Sequence, residues 1–590
     1  MSTDIGATRR GLPAVWRTIW KPAAEGGYQL IAVALVVGAG AGFAAVAFRW
    51  MISAATLFFS GHADYSAVQG HPGHPWLPWL GPFFVVLAPA VGGLVYGPLV
   101  HRFAPEARGH GVPEVMYAVS QHGGRIKGQV AVVKALASAI CIGSGGSVGR
   151  EGPIVQIGSA LGSWLARVFR MPDSRVRTLV ACGAAGGIAA TFNAPIAGVF
   201  FALELLLADF EASSFGAVVL ASVAASVVGR SFLGDQAFLQ LPPFHLSSGW
   251  EFPLFLLLGL LAAVAGVGFT RALYAIEDLC DFLWRLPNWL RPALGGLLLG
   301  LLLLALPQMY GVGYPVLQAG VDGRYAVGFL LVLLVGKIVA TSLTIGIGGS
   351  GGVFAPSLFI GAMLGAAFGE VVGIVDPALH GQVGTFALVG MGAVFAGAAR
   401  APITAVIIMF ELTGEYSIIL PIMLAIVVAT GVSKLMSPDT IYTLKLSRRG
   451  VDLTRHPGTE LMQATLVRAV MDSSHRALDG SLSAAEGSRL LLASGKHSLP
   501  VTDAEGRLAG VVTLQLLSVE LAGSESRRGP SLSGVAEHVA TAEPSATLDS
   551  VVELVLESPA GGGLPVAEDG VLKGWLSQEA VLRLLSRARP

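Results

Sequence analysis

Long apolar runs, separated by short polar or glycine-rich stretches, dominate the first 447 positions of the chain. The first run, Leu30 to Phe48, ends at Arg49 without a small-residue cleavage site, so it predicts a retained spanning helix and not a signal peptide. Several other runs are too short or too glycine-broken to cross about 30 Å of hydrocarbon as straight helices. Irregular backbone at that depth is tolerated only inside protein or along a wet cavity. Further runs lie at roughly 82–100, 195–208, 215–228, 252–270, 293–306, 327–345, 383–398, 402–412 and 417–432.

Beyond residue 447 the apolar runs shorten and charged residues become frequent. The chain has 38 Lys and Arg and 38 Asp and Glu, 13% of its 590 residues, where soluble domains average about 25%. Residues 448–590 carry 31 of these 76 charges. With 53% hydrophobic residues, the composition predicts a membrane domain followed by a smaller soluble one. The net charge is zero and no basic tract stands out, which argues against nucleic acid as a partner.

An internal repeat organises the membrane domain, because four elements recur in the same order at offsets of 202 to 207 residues. Two units of about 200 residues are therefore predicted, at about 28–233 and 251–447. The recurring elements are GHGVP (109–113) with GVGYP (311–315), Lys134 with Lys337, Gly145–Gly162 with Gly348–Gly365, and Ala194-Pro195-Ile196 and Glu204 with Ala401-Pro402-Ile403 and Glu411.

Broken helices at matching positions of two halves point to a substrate site at the repeat interface, near the bilayer midplane. Here the breaks are the glycine-rich loops GSGGSVGREGP and GIGGSGGVFAP, each running into an apolar helix. Such a loop presents unpaired N–H groups and the positive end of a helix dipole. The expected guest is an anion.

These motifs resemble the CLC family of chloride channels and chloride/proton exchangers. The matches are GHGVP at 109–113, GREGP at 149–153, GVFAP at 352–356 and Tyr442 in Ile-Tyr-Thr, in the family's order. The resemblance implies inverted repeats and a homodimer with a separate anion path in each subunit. The motif glycines and prolines are Gly109, Pro113, Pro153, Gly352 and Pro356.

Glu151 is the expected gate. A carboxylate in the first turn of a helix competes with an anion for the helix N-terminus, and protonation of the carboxylate frees that site for the anion. The resemblance implies the same, since the matching glutamate blocks the pore in relatives and carries the proton in exchangers. The alternative is a glutamate that only stabilises its helix.

The remaining anion-site residues follow from the resemblance. Tyr442 would donate its hydroxyl to the anion, the alternative being a tyrosine that anchors the chain at the membrane interface. Arg150 either belongs to the site or offsets nearby carboxylates. The other expected contributors are His110, Gly111, Gly149, Gly152, and the backbone N–H groups of Val353 and Phe354.

His110 departs from the family pattern, since chloride-selective relatives place a serine there. A histidine can donate to an anion and titrates near pH 6.5, so selectivity could depend on pH. The equally weighted alternative turns His110 out of the path to bond the backbone.

Leu205 is the second departure. Exchangers carry an inner, cytoplasmic-facing glutamate for the proton route, and the resemblance places it at Leu205, which cannot relay a proton. Glu204 precedes it, and its match with Glu411 in the repeat suggests a structural role. We therefore expect a chloride channel gated by Glu151, mainly without proton coupling, with a chloride/proton antiporter as the alternative. An enzyme is not expected, because no Ser/His or metal constellation lies at membrane depth.

The C-terminal region is also repeated and is similar to a tandem pair of CBS domains, expected at 464–523 and 533–588 after a linker at 448–463. Ser498-Leu499-Pro500-Val501 followed by Gly510-Val511-Val512-Thr513 returns as Gly563-Leu564-Pro565-Val566 followed by Gly574-Trp575-Leu576-Ser577. Strands and helices alternate around these segments. Nucleotide-binding copies place an aspartate where this chain has Leu516 and Ala580, so nucleotide binding is doubtful and no cofactor is expected.

Basic residues flank both ends of the membrane domain. Arg9, Arg10, Arg17 and Lys21 precede it, and Lys445, Arg448 and Arg449 end it. By the positive-inside tendency both termini face the cytoplasm, with residues 1–27 as a cytoplasmic N-terminus in a bacterial inner or plasma membrane. The cysteines Cys141, Cys182 and Cys280 lie in apolar segments without CxxC spacing, so neither disulfides nor a metal site is expected.

Overall fold

The computed structural model describes residues 28–68, 70, 72–208, 212–235, 251–377, 381–451, 457–523, 529–558 and 562–587. The chain divides into two compact units, Met1–Val451 and Asp452–Pro590. This division falls inside the predicted linker at 448–463. The predicted N-terminal segment 1–27 and residues 452–456 of the linker lie outside the described residues.

The first unit is helical throughout its described part, as the apolar runs predicted. A π-helix, Ala202–Leu207, continues the helix Pro195–Phe201. Short 3₁₀ turns occupy Tyr65–Ala67, Pro78–Phe83, Pro105–Ala107 and Pro307–Met309. The α-helices of this unit are Tyr28–Ser60, Phe84–Phe103, Val112–Gln121, Gly128–Gly143, Glu151–Val168, Asp173–Phe192, Pro195–Phe201, Ala212–Leu233, Phe252–Leu283, Arg291–Ala305, Tyr314–Val321, Val327–Gly346, Phe354–Val375, Val383–Ala399, Pro402–Thr413, Ile419–Met436 and Thr443–Ser447.

Seven helices among the described residues are long and apolar enough to span a bilayer. Other apolar helices of this unit, such as Gly128–Gly143 and Pro402–Thr413, are shorter, which agrees with the broken helices predicted from the runs. The protein is thus an integral, multi-pass membrane protein. The seven segments are Tyr28–Ser60, Pro78–Phe103, Ser214–Leu233, Phe252–Leu283, Val327–Gly346, Phe354–Val375 and Ile419–Met436.

The motif prolines lie in the first turn of their helices. Pro113, Pro153 and Pro356 occupy the second or third position after the helix start. Proline is tolerated there because an N–H in the first turn has no partner within the helix. The glycine-rich loops therefore end in helices that begin sharply, with their N-termini directed at the loops.

Close helix crossings depend on glycines that correspond in the two repeats. A Cβ on Gly158 would lie 2.1 Å from the Gly183 carbonyl oxygen, and one on Gly183 would lie 2.0 Å from that of Gly158. Gly361 and Gly390 make the equivalent crossing in the second repeat, where each Cβ would lie 2.4 Å from the other's oxygen. Small residues let membrane helices approach at backbone distance, and these crossings hold the two helices that begin at the loops.

The second unit has the alternating strands and helices expected of a CBS pair. The strand Leu478–Asp479 pairs in parallel with Ser498–Thr502, which pairs antiparallel with Leu508–Thr513. In the second copy Gly563–Glu568 pairs antiparallel with Val571–Ser577. Helical segments of this unit are Pro457–Ala464, Val467–Ala469 (3₁₀), Ala484–Ser494, Leu514–Gly523, Leu532–Val535, Leu548–Leu556 and Gln578–Arg587.

Each copy has its own hydrophobic core, one around Leu499 and Val512 and one around Leu564 and Leu576. Leu516, one of the two apolar residues at the nucleotide-related positions, packs against the first of these cores. The two copies also contact one another, since the His475 ring stacks on Trp575 at 5.0 Å between centroids.

Candidate anion site

The two glycine-rich loops meet and pair with each other at the centre of the first unit. The Gly149 N–H donates to the Gly352 carbonyl at 2.7 Å, and the Gly352 N–H donates back to Gly149 at 2.6 Å. These residues are 203 positions apart, so each is bonded to its own counterpart in the other repeat, as a two-fold relation between the repeats requires. We expected Gly149 to contribute to the anion site, but its N–H already donates to Gly352.

The third loop, around Gly109, joins this centre. Its N–H donates to the Gly349 carbonyl at 3.0 Å. A Cβ on Gly152 would lie 2.1 Å from the His110 carbonyl oxygen and 2.9 Å from the Cα of Gly352. Only glycine fits there, so Gly152 serves the site by letting the backbones of the two repeats touch.

Two buried lysines hold the loops from behind. Lys134 Nζ donates to the carbonyls of Ala107 and Gly109 at 2.9 and 2.7 Å. Its repeat counterpart Lys337 donates to Val312 and to the Ser147 hydroxyl at 2.9 and 3.0 Å. Each lysine thus binds oxygens of these loops and fixes the loop backbone at the centre of the unit.

Glu151 begins its helix at this centre and is only 1% exposed. Its Oε2 accepts a long hydrogen bond, 3.4 Å, from the Ala355 N–H in the first turn of the opposite repeat's helix. Its Oε1 accepts from the Tyr314 hydroxyl at 2.7 Å. The carboxylate thus lies where the N-termini of the two helices converge, the position that an anion would occupy.

Beside Glu151, the helix Phe354–Val375 starts with Val353 as its N-cap, and both Val353 and Phe354 are buried. The Phe354 ring packs against Phe192 and Phe395 at centroid distances of 5.4 and 4.4 Å. The backbone N–H groups of Val353 and Phe354 therefore lie next to a cluster of aromatic rings. Such a low-dielectric surrounding strengthens the attraction between N–H dipoles and an anion.

Tyr442 is 1% exposed, so its burial does not agree with a membrane-interface anchor. The loop before it is held in place by side chains that donate hydrogen bonds to its carbonyls. The Tyr274 hydroxyl donates to the Ile441 carbonyl at 2.8 Å, and Arg400 donates to the carbonyl of Pro438 at 2.8 Å. This anchoring fixes the Tyr442 side chain inside the unit.

His110 is fully buried, and its ring lies 6.1 Å from that of Tyr274. Neither ring nitrogen has a hydrogen-bond partner among the described residues, so the imidazole is not turned to bond the backbone. Lys134, Lys445 and Arg449 act on it electrostatically. A buried ring with unused nitrogens in a positive surrounding is suited to donate to an anion.

A cavity of about 350 Å³ lies on the Lys445 side of the site. Arg108, Lys445 and Arg449 line it together with the acidic residues Glu277 and Asp281. A Cβ on Gly109 would lie 2.7 Å from Lys445 Nζ, so this cation also borders the Gly109 loop. The cavity therefore approaches the site with excess positive charge.

The family comparison agrees with this geometry. A family model described as voltage gated chloride channel matches residues 92–434, and a CBS domain model matches residues 467–521. The chain belongs to the CLC family. This is the family that the sequence motifs indicated, and the CBS match lies in the second unit.

Relatives of this chain are named either as exchange transporters or as chloride channels. The chain is 38% identical over 356 residues to the H(+)/Cl(-) exchange transporter ClcA of Vibrio parahaemolyticus, spanning 59% of this chain and 76% of that protein. It is 33% identical over 438 residues to a putative chloride channel protein ClcB-like of Ralstonia nicotianae, spanning 72% and 99%. The solved structure of a slow cyanobacterial Cl⁻/H⁺ antiporter superposes with a TM-score of 0.64 at 26% identity, covering 72% of this chain and 98% of that one.

The residues at the family's inner acid position lie in the π-helix Ala202–Leu207, which the sequence pattern did not predict. Glu204 accepts from the N–H groups of Ile403 and Thr404 at 3.1 and 2.8 Å. Glu411, its repeat counterpart, accepts from Ile196 and Ala197 at 2.9 and 2.7 Å. Each glutamate thus caps the helix N-terminus of the other repeat, the contact of a structural residue.

We expect Glu204→Gln and Glu411→Gln to lower stability and to leave anion flux as in the wild type, with the larger loss for Glu204→Gln, because the Thr404 hydroxyl also donates to Glu204 at 2.7 Å. An amide loses the charge that strengthens these bonds, and hydrogen bonds to charged groups contribute about 1.5–3 kcal/mol each. Thermal unfolding in detergent and flux in liposomes measure the two effects. If Glu204→Gln alone removed proton movement while both variants unfolded like the wild type, Glu204 would be a proton relay.

The sequence pattern did not predict Tyr314 as a neighbour of Glu151. It lies at the start of the helix Tyr314–Val321, in the second copy of the GxGxP motif. The signal that could have found it is a break in the repeat, because the corresponding residue of the first copy is Val112.

Proposed function

We propose that this protein exchanges chloride for protons across the membrane, with Glu151 as the shared gate. The observation that carries the proposal is the position of its carboxylate at the paired helix N-termini, within reach of the Ala355 N–H. The names of the Vibrio ClcA relative and of the cyanobacterial antiporter support exchange over the channel that Leu205 led us to expect.

In this mechanism the ionised carboxylate and the anion compete for one place. The helix N-termini attract either negative group, so chloride must displace Glu151 or wait for its protonation. A protonated Glu151 no longer needs the N–H donors and leaves them to the anion. Occupation of the site by an anion and protonation of Glu151 are thereby linked at a single residue.

Several donors would hold the anion once Glu151 has moved. We assign this role to the N–H groups of Val353 and Phe354, the Tyr442 hydroxyl, and His110 with the adjoining Gly111 backbone. Arg150 is a structural partner in this scheme, because its guanidinium lies over the Tyr314 ring at 5.0 Å. The positive cavity beside Lys445 would gather anions at the inner mouth.

The inner proton route lacks an acid at Leu205, and Glu204 is held by two N–H groups. We therefore assign the inner route to water, since cavities with a few polar groups hold ordered molecules. This same feature favours the second candidate, a chloride channel in which Glu151 gates without coupling, as the name of the Ralstonia relative suggests.

We also propose a homodimer with both termini in the cytoplasm. Glu204 and Glu411 lie at partly exposed sites beside the exposed Ile196 and Ile403. A carboxylate is expensive to leave facing hydrocarbon, and a second copy covering this face would remove that cost. The basic residues at both flanks support the orientation. We do not assign a nucleotide to the CBS pair.

The test is uphill transport in proteoliposomes. A chloride gradient is imposed while a potassium ionophore clamps the voltage, and internal pH is recorded. Exchange predicts sustained proton movement against the proton gradient. Chloride flux without proton movement would reject exchange and leave the channel.

A further inference from the structure

Tyr314 and Glu151 are both polar residues whose equivalents in the other repeat are apolar. Glu151 corresponds to Phe354 at an offset of 203, and Tyr314 corresponds to Val112 at an offset of 202. Each repeat therefore contributes one polar group, a carboxylate from the first and a hydroxyl from the second, where its counterpart in the other repeat is a phenyl ring or an isopropyl group. The polar pair is bonded to itself across 163 residues of sequence.

The surroundings of this pair follow the repeat elsewhere. A Cβ on Gly111 would lie 3.0 Å from the Gln156 side chain, and one on Gly313 would lie 3.4 Å from Phe359, the residue equivalent to Gln156. Because the framework is shared, the hydroxyl of Tyr314 is not required to build this loop. Its counterpart Val112 occupies the same helix start without one.

The hydroxyl is directed at the gate. It donates to Oε1 of Glu151 at 2.7 Å, whereas the Ala355 N–H reaches Oε2 at only 3.4 Å. Hydrogen bonds from a hydroxyl to a carboxylate are short and about twice as strong as neutral ones. The tyrosine is therefore the tighter of the two contacts that hold the ionised gate where the structure shows it.

We propose that Tyr314 is a positioning residue for the gate, whose hydroxyl holds the ionised Glu151 carboxylate in the anion's place. Opening then requires breaking this bond as well as leaving the helix N-termini. Protonation of Glu151 weakens the bond, because a carboxylic acid is a poorer acceptor than a carboxylate. The inference rests on the proposed gating role of Glu151 and does not require that transport be coupled to protons.

Other charged and titratable groups face the pair and are common to the wild type and the variants below. Lys337 and Tyr442 act electrostatically on Glu151. Arg49 and Arg150 act on Tyr314. Removing only the Tyr314 hydroxyl leaves all four in place, so a change in pH response reports the hydrogen bonds that this hydroxyl makes with Glu151 and Arg150.

The experiment measures chloride flux in proteoliposomes between pH 4 and pH 9 for the wild type and Tyr314→Phe. We expect the pH of half-maximal flux to rise by about one unit, a tenfold change in proton affinity. Flux at neutral pH should increase, since less of the gate is held closed. In the Glu151→Gln background the same substitution should change nothing, because the carboxylate is absent.

Tyr310→Phe is the matched control. Tyr310 is also buried and its hydroxyl donates at 2.7 Å, but to the Gly143 carbonyl. It should keep the wild-type pH profile. Tyr314→Leu, a second hydroxyl-free variant, should shift the profile in the same direction as Tyr314→Phe.

An unchanged profile in Tyr314→Phe, or an equal shift in Tyr310→Phe, would overturn the proposal. A wild-type flux that did not respond to pH would overturn both this proposal and the gate. A wild type that responds to pH but moves no protons uphill would reject exchange alone. Failure of this inference and failure of the proposed function are therefore distinguishable.

Discussion

Glu151→Gln should abolish uphill proton movement and leave a chloride flux that no longer changes with pH. Glutamine keeps the size and one hydrogen-bond acceptor of the protonated side chain but can neither ionise nor carry a proton. The helix N-termini are then open to anions at every pH. Parallel recordings of chloride and internal pH in proteoliposomes measure both effects.

Asp173→Asn is a suitable control for this prediction. Asp173 lies in the first turn of the next helix, Asp173–Phe192, where it pairs with Arg125 at 3.0 Å near the surface. The substitution removes the same charge from a helix N-terminus outside the site, so it should leave coupling and pH response intact. Persistent proton pumping by Glu151→Gln would refute the gate.

Gly183→Ala should prevent correct folding of the membrane domain. The added methyl group would lie 2.0 Å from the Gly158 carbonyl oxygen, which belongs to the backbone and cannot move aside alone. The helices Glu151–Val168 and Asp173–Phe192 would have to separate, which displaces Glu151. Overpacking ordinarily costs about 1–3 kcal/mol, and a clash with backbone belongs at or above the top of that range. Yield of intact protein and its unfolding temperature in detergent measure the loss.

Gly268→Ala is the matched substitution in the helix Phe252–Leu283, where a Cβ would meet nothing within 4 Å. It should be neutral or slightly stabilising, because alanine favours a helix over glycine by about 1 kcal/mol. If both variants behaved alike, the destabilisation would come from the loss of glycine as such and not from the helix crossing.

Much of the architecture was predictable because its signals are local or repeated. Apolar runs of helical length indicate membrane segments by composition alone, and four elements at nearly the same offset reveal the two repeats. Glu151 was identifiable since its motif places a carboxylate in the first turn of a helix. The CBS pair was visible through its repeated strand pattern, and the comparisons confirmed the family.

The transport mode was not decided by the residues. Leu205 predicted a channel because an apolar side chain cannot relay a proton, whereas the comparisons favour an exchanger. Leu205 does not exclude exchange, because a proton route can run through water, which no side-chain pattern records.

By itself, then, the sequence determined the membrane domain, its repeats, the glycine-rich loops and the position of Glu151 at a helix start, because each depends on neighbouring residues or on a nearly constant offset. Only the tertiary structure decided which loop groups bond one another and which remain for an anion. The Gly149 N–H donates to Gly352, Glu204 caps a helix of the other repeat, and the Tyr314 hydroxyl donates to Glu151. Each of these contacts joins residues more than 160 positions apart, and it forms only when the two repeats pack together and bring their helix ends to one point.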